Sequence, residues 1–76
     1  MTTDIILGHI RQMGWIVTIH KVNRTVEMHA IDLAGKRDPQ IARCNDGDEE
    51  EEEYRCACLL ARSVGLHWPI EPPAGV

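Results

Sequence analysis

WIVTIHKVNRTVEMHAI, residues Trp15 to Ile31, decides the fold. Two runs rich in β-branched residues flank a two-residue break at Asn23-Arg24, the pattern of a β-hairpin. Asn tolerates the positive φ of a type I′ turn, although Arg suits the second turn position less well than Gly. With that turn, Val22 faces Thr25 and the register follows. Ile19 lies opposite Met28, Val17 opposite Ala30 and Lys21 opposite Val26, so with Trp15 these residues form one nearly continuous apolar face. The other face carries Ile16, Thr18, His20, Val22, Thr25, Glu27, His29 and Ile31, with polar residues at its centre. A one-residue slip would mix the two sets, and this selects the register.

Outward from the hairpin, Thr3 to Met13 reads as a short helix. Thr3 or Thr2 can cap it, Asp4 suits its first turn, and Ile6, Ile10 and Met13 recur at helical spacing beside Leu7. Gly14 is placed to end it. Gly8 inside it costs roughly 1 kcal/mol relative to Ala, so the helix depends on docking against the sheet. Beyond the hairpin, Leu33 to Pro39 is a loop and Gln40 to Cys44 a short third strand. Ala42 and Cys44 facing inward would let a helix approach closely, and Ile41 facing inward would add bulk; the first is preferred.

Asn45-Asp46-Gly47 is turn chemistry, and Asp48 to Val64 reads as the strongest helix in the chain. Asp46 or Asp48 can cap it, and its run of Glu lies at the positive end of the macrodipole. Tyr54, Ala57, Cys58, Ala61 and Val64 form the expected buried stripe, with Cys56, Leu59 and Leu60 partly outside it. Gly65 is a C-cap. The order α-β-β-β-α predicts an α+β fold: a three-stranded antiparallel meander with both helices on the Trp15 face. One domain spans 1–66, followed by a proline-rich extended tail, 67–76, whose Trp68 and Ile70 either fold back or serve as a recognition segment, folding back being preferred.

Composition bounds the function. At 76 residues, 43% hydrophobic and 26% charged, the chain is a single globular domain with a small core. Its aromatics are Trp15, Tyr54 and Trp68, so Ile, Leu, Val, Met, Ala and Cys must build that core, with little room for an internal ligand cavity. No apolar run approaches the roughly 18 residues of a membrane span, and the first residues lack the pattern of a signal peptide, which makes a cytoplasmic location the expectation. Cys44, Cys56 and Cys58 make an odd count, consistent with reduced thiols. The net charge of −4 is local: Asp46, Asp48 and Glu49 to Glu53 hold seven of twelve acids, leaving five acids against eight basic residues elsewhere.

Three constellations could carry chemistry. In the proposed register His20 opposes Glu27 and lies diagonal to His29, so two imidazoles and a carboxylate meet on the outer face. That is a zinc-type set, but spacing implies no fourth ligand, and polar pairs of this kind are common on β-surfaces. Cys56 and Cys58 point roughly 200° apart on a helix and cannot share a metal from one turn. No base is placed to activate a thiol, so no catalytic residue and no cofactor is assigned. The Glu run is commonly just a solvated helix start; its chain direction places Lys21 and Arg24 near it and Lys36 and Arg37 at the opposite end.

The element order resembles that of double-stranded RNA-binding domains, which implies a phosphate grip of lysines at the start of the second helix. Here that stretch is DGDEEEEEY, and the inverted charge argues against double-stranded RNA as a partner. Gly14-Trp15 opening the strands and YRCACLLARSVGL in the last helix resemble small phage and prophage α-β-β-β-α proteins, the "phage ABA sandwich" group, over about residues 4–66. That group has no established activity, so the resemblance implies a genomic setting and carries over no functional residue; the long Glu run departs from it.

The expectation is therefore a non-catalytic protein-interaction module, phage- or prophage-derived, with a host or phage protein as partner. Its expected surfaces are the outer sheet face (Thr18, His20, Glu27, His29, Ile31) and the acidic cap (Asp48, Glu49, Glu50, Glu52, Glu53). A homodimer through outer faces or sheet edges is a variant. The alternatives are a nucleic-acid-binding domain and a protein holding metal on its histidines.

Overall fold

The computed structural model describes residues 2–45 and 49–66, with the side chain of Glu49 left out. The element order is α1 (Thr3–Gln12), β1 (Trp15–Val22), β2 (Thr25–Asp32), β3 (Gln40–Asn45) and α2 (Glu49–Ser63). The strands form one antiparallel sheet in the order β1-β2-β3. This is the expected α-β-β-β-α arrangement. The tail 67–76, with Trp68 and Ile70, lies outside the described residues, as does Asp48.

The hairpin pairs as its pattern requires, with Val22 opposite Thr25, Ile19 opposite Met28 and Val17 opposite Ala30. Its turn differs from the expectation. Only Asn23 has positive φ, at 56°, and Arg24 does not. That is the φ signature of a type II′ turn, which spares Arg24 the left-handed conformation its Cβ disfavours.

At the N-terminus the Thr2 hydroxyl accepts from Ile5 N at 3.3 Å and caps α1. Ile6, Leu7 and Ile10 bury its inner face. Gly14 follows at φ +93°, and a Cβ there would stand 3.2 Å from the guanidinium of Arg37. Gly14→Ala is thus disfavoured by conformation and by crowding together.

The core lies between the sheet and both helices: Trp15 from β1, Val26, Met28 and Ala30 from β2, Ala42 and Cys44 from β3, and Cys56, Ala57, Leu60 and Ala61 from α2. β3 therefore faces as preferred, small residues inward. Cys56 Sγ reaches Ala42 O at 3.2 Å and Val26 O at 3.7 Å, an approach that Ala42, Ala57 and Ala61 make room for.

Two expectations are corrected. The α2 stripe is centred on Cys56, Ala57, Leu60 and Ala61, with Tyr54, Cys58 and Val64 only partly buried. α2 packs against α1 as well as the sheet, so it buries two flanks, and the residues read as left over fill the second. On β1 the apolar face is covered at one end alone: Trp15 is buried, Val17 half-buried, and Ile19 is 40% exposed. The cause is length, since α1, of ten residues, spans about 15 Å and β1, of eight, about 26 Å.

Asp32, unremarked in the sequence, is the one buried anion of the sheet. Its carboxylate accepts from the backbone N–H of Ala34, Lys36 and Arg37 at 3.2, 2.9 and 2.7 Å, and from the Arg37 guanidinium at 3.0 Å. Arg37 also donates to Met13 O at 3.0 Å and stacks over Trp15, 4.0 Å from the ring centroid. One side chain thereby ties the end of α1, the start of β1 and the β2–β3 loop. Arg37 is at the end opposite the hairpin turn, as read, but it is folded back onto the protein.

Candidate functional site

Both helices pack on one side of the sheet, so the outer face is built from alternate residues of three strands. It is ordered in rows. Ile16 pairs with Ile31; Thr18, His29 and Ile41 form the next row; His20, Glu27 and Arg43 the third; Val22, Thr25 and Asn45 the last. The first row is apolar, the second mixed and the third ionic. Ile16, Ile31 and Ile41 are 47, 41 and 56% exposed, an unusual set for a surface that serves no packing role.

The ionic row has defined geometry. His29 Nε2 donates to Glu27 Oε1 at 2.7 Å, and Arg43 Nε donates to Glu27 Oε2 at 2.8 Å. The His20 and His29 rings meet edge to face, centroids 5.0 Å apart. The hydrogen bond from His29, then that from Arg43, holds the Glu27 carboxyl below the usual carboxylate range. Both oxygens are occupied, one by a cation, and such a carboxylate is a poor site for a metal ion. Among the described residues no three of His, Cys, Asp and Glu stand together as a metal ligand set.

The structure thus brings Thr18, His20, Glu27, His29 and Ile31 onto one face. Ile16 is on this face as the sequence places it, though outside the expected binding set; Arg43 and Ile41 are members the sequence did not single out. Arg43 and Ile41 follow from β3 facing Ala42 and Cys44 inward, which the alternation of that strand would have supplied.

The acidic cap is less uniform than expected. Glu50 is exposed, Glu53 is half-buried and pairs with Lys21 at 2.5 Å, and Glu52 is 4% exposed. Glu52 is therefore corrected: it belongs to the interior of the first α2 turn, and helical spacing puts it on the Cys56 flank. Its Oε1 has no hydrogen-bond partner among the described residues. The Lys21 pair agrees with the chain direction read from the sequence.

Burial holds two of the thiols in their protonated form. Burial first, and then the neighbouring Cys44, push Cys56 up to about 12. Cys58 is also raised, chiefly by burial. A thiol that stays protonated attacks slowly.

No protein family, no curated protein and no solved structure matches the chain. No helix among the described residues is long and apolar enough to cross a membrane.

Proposed function

We propose that the protein is a non-catalytic protein-interaction module, of the phage-derived kind its sequence resembles, and that it binds a host or phage protein through the outer sheet face. The observation that carries this is the half-apolar, half-ionic surface left open by both helices. Ile16, Ile31 and Ile41 provide apolar anchors. The His29–Glu27–Arg43 bonds pre-order polar groups beside them, which lowers the entropy lost on docking. Glu50 and Glu53 belong to α2 on the other side of the sheet, Glu53 paired with Lys21, and form no part of this surface.

Ile31→Glu and Arg43→Glu test the reading separately. Each position is solvent-facing, so the fold should persist with an unchanged far-UV spectrum, although Arg43→Glu, which faces Glu27, should lower the thermal midpoint. Cross-linking in a host lysate should then show the partner retained by the native chain and lost from both variants. Retention by both variants would mean that the face is not the binding surface.

A further inference from the structure

The two edges of the sheet are guarded differently. β3 has six residues, is entered from Pro39 and carries Arg43; proline and charge are common defences of an exposed edge. β1 has eight residues, no proline and an unbroken register with β2. Its one permanently charged side chain, Lys21, is drawn toward Glu53. Ile16, Ile19 and Val22 on this strand are 47, 40 and 66% exposed.

The hairpin fixes which backbone groups face outward. Val22 and Thr25 close a two-residue turn as a hydrogen-bonded pair, and Gly14 O accepts from Leu33 N in the same alternation. Even-numbered residues of β1 therefore bond to β2, and the N–H and C=O of Val17 and Ile19 point away from it. Among the described residues no backbone bond reaches those groups.

We propose that this edge pairs with β1 of a second copy, antiparallel about a two-fold axis at Ile19, to make one six-stranded sheet. Only pairings that set even residues against even ones align the outward backbone groups and keep both helix layers on one side. Among them, centring on Ile19 sets that residue against its own copy. On the outer side it sets Ile16 against the partner's Val22, and Thr18 against the partner's His20. Centring on Thr18 instead would set Ile16 against the partner's His20 and leave Val22 beyond the paired strand. The occupant is a second copy because Ile16, Ile19 and Val22 are spaced symmetrically about Ile19, a match that the strand makes with itself. This pairing stands independently of the proposed outer-face partner, and it would present that face twice on one continuous surface.

The test is sedimentation of the full chain across concentration. The mass should rise from 8.6 kDa toward twice that value. Ile19→Lys puts two like charges on the axis and should raise the dissociation constant at least about tenfold, with the far-UV spectrum preserved. Ile41→Lys, on the far edge and the outer face, should leave the mass unchanged while weakening outer-face binding, so the two readings fail separately. The Val17 and Ile19 amides should exchange more slowly with solvent as concentration rises. A chain monomeric at every soluble concentration overturns the pairing. So does a dimer indifferent to Ile19→Lys, or one whose Val17 and Ile19 amides exchange as fast as in dilute solution.

Discussion

Arg37 carries more of the structure than its position in a loop suggests. Its planar guanidinium bonds Asp32 Oδ1 and Met13 O through the one nitrogen Nη2 and covers the Trp15 ring with its face. A lysine ammonium can donate twice from one nitrogen, but it has no plane to lay over the ring while it does so. Arg37→Lys should therefore lower stability by about 1–2 kcal/mol and shift Trp15 emission to the red, read by urea unfolding with fluorescence. An unchanged midpoint would show that the loop holds without the guanidinium plane. Asp32→Asn should be more harmful than Arg37→Lys. Asparagine keeps one oxygen but turns an NH2 toward a site where three N–H groups and a guanidinium already converge, so donors would face donors. None of this was visible in LAGKRDP, because a loop has no period; the folded chain alone shows which of its side chains turn inward.

At the scale of elements, α2 shows why part of the pattern was legible and part was not. The hairpin register could be read because a slip of one residue would carry Met28 and Ala30 to the solvent face, and no such ambiguity protects a helix. For α2, Ala57 and Ala61 were placed, yet Cys56 and Leu60 read as partly outside the stripe because α1 claims a second flank. The outer-face site was half legible for a related reason: β1 and β2 fixed His20, Glu27 and His29, whereas Arg43 needed the facing of β3. The corrected stripe has consequences. Cys56→Leu must fit two extra carbons where Sγ already lies 3.2 Å from Ala42 O, and should destabilise by about 1–3 kcal/mol, measured by thermal unfolding. Thiol labelling in the native state should begin at Cys58, with Cys44 and Cys56 reacting only as the protein unfolds. Mass mapping of the first modified cysteine decides it; Cys56 labelled first would contradict its burial.

For the whole molecule, the shifted groups set a window of stability in pH with two different walls. On the acid side, Asp32 is held well below its ordinary range, first by the Arg37 side chain, and Glu27 lies below its own, first through His29. When the folded pKa is the lower one, the unfolded chain binds more protons in between. The stability these carboxylates contribute is thus complete above the ordinary carboxylate range and lost as pH falls toward the folded values. On the alkaline side the sign reverses. Cys56 keeps its proton to about 12 when folded, against an ordinary value of 9.0, so between those values the unfolded chain releases a proton that the folded chain retains. Stability must fall as pH climbs through that interval. The urea midpoint should accordingly hold level from about pH 5 to 9 and decline on either side. The two walls can be moved separately. Cys56→Ala should make the alkaline decline shallower and leave the acid limb in place, because Cys58 and Tyr54, both raised by burial, still contribute to the former. Glu27→Gln should flatten part of the acid limb alone. An alkaline limb of equal steepness in Cys56→Ala would show that the buried thiol does not set that wall.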